Sequence, residues 1–97
     1  MASISITLNQ NTICLQGELT RHTLTQVTKK MVKSLLVQTS ALVDLQQVSK
    51  VDTAGLAWLF YLLEQAQLAN CQLRFANLPI KLDNLINLSG VEGFLPK

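Results

Sequence analysis

The sequence predicts an α/β fold: a small mixed sheet with helices packed on it, in the order strand, strand, helix, strand, helix, strand, helix. Three observations carry this. Apolar residues alternate with polar ones at the start of the chain and again near Phe75, the period of a half-buried strand. Between those stretches they recur every three or four residues, the period of an amphipathic helix. The 97 residues are 48% hydrophobic and 14% charged, a balance that favours one globular domain over residues 1–97 rather than disorder. Strand-helix-strand units then call for right-handed crossovers and parallel pairing.

Each element has its own signal. Ile4, Ile6 and Leu8 form a first strand, and Asn9-Gln10-Asn11 a turn, because Asn tolerates left-handed backbone. Ile13, Leu15, Gly17 and Leu19 continue the period of two, so the pair reads as an antiparallel hairpin. Thr20 can cap a helix running from Arg21 to about Val37, with Leu24, Val27, Met31 and Leu35 inward and Lys29, Lys30 and Lys33 on a solvated outer side. Ala41 to Leu45 is short, apolar and largely unalternated, as expected of a strand covered on both faces. Gln46 to Lys50 reads as a polar connection. A long helix then runs to about Ala69, with Asn70 near its C-cap and Leu56, Leu59, Phe60, Leu63 and Ala66 as its core stripe. Trp58, Tyr61 and Leu62 flank that stripe. Cys71, Leu73 and Phe75 form a fourth strand. Pro79 opens a last helix with Leu82, Leu85, Ile86 and Leu88 on its apolar face, and Gly90 ends it. Val91 to Lys97 is a tail that Phe94 anchors.

The stretch from Val51 to Leu63 organises the rest. Asp52 and Thr53 carry side-chain oxygens able to cap a helix, and the run that follows is apolar throughout except for Gly55. The run is well short of the roughly 20 residues that cross a bilayer. It is also more apolar than a one-sided surface helix requires. Such a helix needs cover on more than one side: the core, and a partner.

Composition narrows the function. The net charge of +2 is too small to point to nucleic acid. Met1 to Ser5 lacks the basic region and apolar core of a signal peptide, and no transmembrane run follows, so the cytosol is the expected compartment. Cys14 and Cys71 fit no zinc or redox spacing and are expected as buried free thiols in strands. His22 has no companion at metal-ligand spacing and belongs on the solvent side of a helix's first turn. No metal or cofactor is implied. Asp44, Asp52 and Glu64 are the acids near the focal stretch, no His or Cys stands ready to partner Thr53, and no Gly-rich phosphate loop is present. The reading is a non-enzyme.

The order of elements resembles the STAS domain, which includes the bacterial anti-sigma factor antagonists. Gly17-Glu18-Leu19 closes the second strand, Val51-Asp52-Thr53-Ala54-Gly55-Leu56 opens the long helix, and Leu88-Ser89-Gly90-Val91 looks like the family's last turn. Sigma-regulating antagonists usually carry a phosphorylatable Ser or Thr just before the Gly. Here that residue is Ala54, and the neighbouring hydroxyl is Thr53. The Gly-Glu-Leu and the Val-Asp-Thr-small-Gly-Leu-Ala run are more similar to the free-standing STAS subunits of bacterial phospholipid-transport ABC complexes, which maintain outer-membrane lipid asymmetry. That resemblance implies a non-catalytic subunit bound to the cytoplasmic ATPase, in a complex with a permease and a lipid-binding MCE subunit, peripheral to the inner membrane without inserting into it. It implies a contact surface of Asp52, Thr53, Ala54, Leu56, Ala57, Trp58 and Tyr61, with Thr53 also a candidate regulatory position. The alternative is an anti-sigma factor antagonist that binds a regulatory kinase.

Overall fold

The computed structural model describes residues 2–91, 93 and 96. It shows a four-stranded mixed sheet in the order β1-β2-β3-β4, with β1 (Ile4–Asn9), β2 (Thr12–Leu19), β3 (Ser40–Val51) and β4 (Gln72–Ala76). β1 and β2 pair antiparallel as predicted, but the left-handed turn residue is Gln10 (φ 55°) rather than either flanking Asn. Both β2–β3 and β3–β4 are parallel.

The register puts one row of side chains from every strand on the same face. Ile6 lies opposite Leu15, Ile13 opposite Val43, and Val43 opposite Phe75. Leu15, Ile13, Val43 and Phe75 are buried, and α3 (Thr53–Leu68) adds Leu59, Leu62 and Ala66 to the same core. The opposite face, with Ser5, Thr7, Gln16, Leu42 and Arg74, is exposed. The expectation that β3 is covered on both faces is therefore corrected. Leu42, inside the apolar run, is 37% exposed beside Arg74 of β4.

β3 is also longer than its sequence suggests. Gln46 to Lys50 is strand rather than connection: Gln47, Val48 and Lys50 pair with Gln16, Gly17 and Glu18. Two register shifts, at Cys14/Gln16 and Gly17/Glu18, break the alternation that marks a strand in sequence. Val48 and Val51 resume the buried row beyond them.

The helix predicted from Arg21 to Val37 is two helices, α1 (Arg21–Leu24) and α2 (Lys29–Leu35). Threonines divide it. The Thr25 hydroxyl donates to the His22 carbonyl (3.2 Å), and Thr28 leaves helical geometry to accept from the Met31 amide (3.2 Å). The break rotates the register, so Val32, Leu35 and Leu36 enter the core while Met31 is 37% exposed. Thr20 is the N-cap residue of α1, but its buried hydroxyl has no hydrogen-bond partner among the described residues; its amide donates to Thr23 Oγ1 (3.1 Å) instead, and His22 is exposed.

In α3 the core row is Leu56, Leu59, Leu62 and Ala66, so Leu62 is core rather than flank, and Phe60 and Leu63 are only partly buried. Asn70 follows the C-cap Ala69 with φ 57°. In α4 (Ile80–Ser89) Leu82 and Ile86 are buried, Leu85 is partly so, and Leu88 is 85% exposed rather than part of the core. Pro79 is the N-cap and left-handed Gly90 the C-cap. Cys71 is buried just before β4, but Cys14 is only half-buried on the open face. The Phe75 amide donates to the Pro96 carbonyl (2.8 Å), which brings the tail to the β4 edge. Phe94, the expected anchor, lies outside the described residues.

If residues 46–50 are strand, a charge at Val48 must be desolvated against the core. Val48→Asp is expected to lower unfolding free energy by about 3 kcal/mol or more, measured by urea titration. A loop residue would tolerate the change within experimental error.

Candidate functional site

The two motifs singled out in the sequence meet in space. Gly17 adopts φ +107° and lies against the Ser3 carbonyl, a conformation and a closeness that a side chain would not permit. Beyond Gly17, Glu18 and Leu19 reach the helices that follow. The Glu18 carbonyl accepts from the buried Thr23 hydroxyl (2.6 Å), and the Leu19 carbonyl accepts from the Asp52 amide (3.3 Å). Gly55 packs directly on that same Leu19 carbonyl, where a Cβ would overlap its oxygen. The glycine is needed for close approach, not for an unusual φ.

Asp52 ties the junction together. One carboxylate oxygen accepts from the Gly55 amide (2.9 Å) as the cap of α3. The other accepts from the Arg21 amide (3.1 Å) at the first residue of α1. A single carboxylate thus serves two helix N-termini, where negative charge is favoured. Desolvation pushes the Asp52 carboxyl up, but the Gly55, Arg21 and Ala54 amides and the Arg21 charge outweigh it, so it lies below the usual carboxylate range.

Thr53 begins α3, exposed, and its hydroxyl makes no hydrogen bond among the described residues. At ~100° per residue, Thr53, Ala57, Tyr61, exposed Glu64 and Leu68 share the outward side of the helix. Ala57 is exposed, Leu68 is 73% exposed, and Ala54, Trp58 and Tyr61 are partly buried along the margin. Leu56 is different. It is 5% exposed and belongs to the core, because it turns toward the sheet with Leu59. The contact surface expected from the sequence therefore loses Leu56, and the other six residues lie on one end and one side of α3.

The structure adds residues that the sequence reading placed elsewhere. Val51, Asp52 and Thr53 form one wall of a cleft of about 400 Å³ whose other wall is Lys81, Asn84, Leu85 and Leu88 of α4. An adjoining cleft of about 240 Å³ runs past Lys50, Val51, Ile80 and Lys81. Ile80 and Leu88 are 80% and 85% exposed. Their signal was present as an apolar stripe too wide for a short helix with one neighbour, but periodicity alone assigned Leu85 and Leu88 to the core. Among the described residues no His, Cys, Asp and Glu cluster could hold a metal ion. None of the described helices is long and apolar enough to cross a membrane.

A family model described as "Mlab, STAS domain" matches residues 2–96. The chain belongs to the STAS family. Two solved structures are similar: the Bacillus cell fate determinant SpoIIAA in its phosphorylated form, and the anti-sigma factor antagonist SpoIIAA in its unphosphorylated form. Each is 14% identical and covers 95% of this chain. The match takes in 87% of the first structure at a TM-score of 0.65, and 84% of the second at 0.70. These likenesses show a shared STAS fold. No curated protein matches the chain. Within the family's signature, the Gly is the residue on the Leu19 carbonyl and the Asp is the double cap.

Two outcomes follow from the junction. Gly55→Ala forces a methyl group against backbone rather than a yielding side chain and is expected to cost about 1–3 kcal/mol in denaturant titration. For Asp52 the sign follows from its lowered pKa: the ionised form stabilises the fold above the ordinary carboxylate range, and that contribution is lost as pH falls through the depressed value. Asp52→Ala is expected to cost about 1–2 kcal/mol at neutral pH and to shrink the fall in melting temperature on acidification. An unchanged acid limb would show that the carboxylate does not stabilise the junction.

Proposed function

We propose that this chain is the non-catalytic STAS subunit of a phospholipid-transport ABC complex, acting as one domain that docks on the cytoplasmic ATPase. The complex would contain a permease and a lipid-binding MCE subunit and would maintain outer-membrane lipid asymmetry, with this chain peripheral to the inner membrane. The observation that carries the reading is the outward side of α3: exposed Ala57 and Leu68 with partly buried Trp58 and Tyr61 and a single charge, Glu64, beyond a free Thr53 hydroxyl, in a chain whose family model is described as "Mlab, STAS domain".

The chemistry suits a binding role. Asp52 is fully engaged as a structural cap, which leaves Thr53 to present the helix start to a partner. Ala54 and Ala57 allow a second backbone to approach closely, and Trp58 and Tyr61 supply the aromatic margin that dominates interface energetics. The α4 cleft extends the surface with Leu85, Leu88 and Lys81, which fits a partner segment bearing apolar and acidic side chains. Ala54, without a hydroxyl where sigma-regulating antagonists usually carry one, speaks against a kinase-switched antagonist. Thr53 remains the position at which a modification would act.

Thr53 separates folding from docking. A carboxylate at the first turn of α3 is compatible with the helix dipole, so Thr53→Glu is expected to melt within a few degrees of the wild type. Buried against a partner without a matching cation, the same carboxylate costs several kcal/mol. Thr53→Glu is therefore expected to lose co-purification of the ATPase and the outer-membrane permeability barrier, while Thr53→Ser keeps both. A folded Thr53→Glu chain that retains the ATPase would remove Thr53 from the interface. Recovery of a kinase in place of the ATPase would sink the transport reading.

A further inference from the structure

The edge of the sheet at β1 is unprotected. Natural edge strands are usually guarded by charge, proline, bulges or a covering segment. β1 has none of these among the described residues. It pairs with β2 in unbroken register from Ile4 to Asn9, and no proline or charged residue precedes Glu18 in the chain. The tail meets the opposite edge, at Phe75 of β4. Ile4 and Ile6 are only partly buried, and Leu8 is 42% exposed.

The direction of the open backbone groups follows from the ladder. The Glu18 amide donates to the Ser3 carbonyl (2.9 Å), so Ser3 is among the residues that turn toward β2. In an antiparallel pair such residues alternate. Ser5, Thr7 and Asn9 therefore also face β2, and Ile4, Ile6 and Leu8 turn their N–H and C=O groups outward. The hydrogen-bonding row and the apolar row of β1 coincide.

We propose that β1 pairs antiparallel with β1 of a second copy of this chain, about a two-fold axis at Ile6, to give a continuous eight-stranded sheet. This register sets Ile6 against the partner's Ile6 and Ile4 against the partner's Leu8. Ser5 then stands beside the partner's Thr7 on the open face. Apolar meets apolar and hydroxyl meets hydroxyl, the pairings that stabilise neighbouring strands. A shift by one residue would set Ile6 against Thr7 and lose both matches. With no charge on this edge the two copies do not repel one another, and an isologous contact closes at the dimer. The α3 side and the α4 cleft stay free, so this inference stands apart from the ATPase reading.

Sedimentation equilibrium of the full chain at micromolar concentrations tests it, alongside oxidative cross-linking in a Cys14→Ser background. The wild type is expected to dimerise. Ile6→Cys is expected to form a disulfide-linked dimer, since directly opposed hydrogen-bonded residues lie about 5.5 Å apart at Cα, within disulfide reach. Thr7→Cys, offset from its own copy, is expected not to. Ile6→Pro removes an outward N–H that β2 does not use, and should weaken the dimer at least about tenfold. Cross-linking still decides the register if that variant fails to fold. A monomer throughout the concentration range would overturn the proposal. So would cross-linking at Thr7 but not Ile6, or a dimer that survives folded Ile6→Pro and dissociates with Ala57→Asp on α3.

Discussion

The fold depends on how closely the start of α3 can sit on the end of β2. The Leu19 carbonyl is the point of contact: it takes the Asp52 amide and lies under the bare Cα of Gly55. That closeness is set by backbone, which cannot yield as a side chain does. Asp52 then holds α1 and α3 to one carboxylate, so both helices enter the structure from one corner. Buried Thr23 secures the same corner from the α1 side through the Glu18 carbonyl.

That corner has a consequence for the surface. Because Asp52 is spent on capping, the exposed group at the start of α3 is the next residue, Thr53, and the helix is apolar all round as far as Leu63 before Glu64, Gln65 and Gln67. One side packs on the sheet through Leu56, Leu59, Leu62 and Ala66. The other, with Ala57, Tyr61 and Leu68, has no cover among the described residues. Of the acids near this helix, Asp52 caps two N-termini and Asp44 accepts from the Asn77 side chain. The Asn77 side chain lowers the Asp44 carboxyl further, so it is suited to remain ionised rather than to exchange protons near neutrality.

The sheet is asymmetric in the same spirit. One face is closed by the helices, while the other is polar apart from Leu42 and half-buried Cys14. The β4 edge receives the tail and the β1 edge stays open. The chain therefore has two kinds of unfinished surface: the apolar side of α3 with the α4 cleft, and the backbone groups of β1. The first asks for a partner of different chemistry, the second for a strand.

Sequence by itself determined the order of elements, the hairpin, the parallel pairings and the prominence of Asp52 to Leu56, because these rest on local periodicity, caps and glycines. It could not determine where regular patterns stop. Threonine hydroxyls competing for backbone split α1 from α2, and an extra residue at each of two points in β3 hid its second half as a polar loop. Only tertiary structure decided which sides of apolar helices are covered. It sent Leu62 to the core, left Phe60 and Leu63 only partly buried and Leu88 in solvent, because a helix run that is apolar all round has no internal marker of its buried face. The joining of Gly17–Leu19 to Asp52–Gly55 was decided there too. It is a contact between backbones far apart in the chain, and the residues record it only as two glycines whose reason appears when the strands are in place.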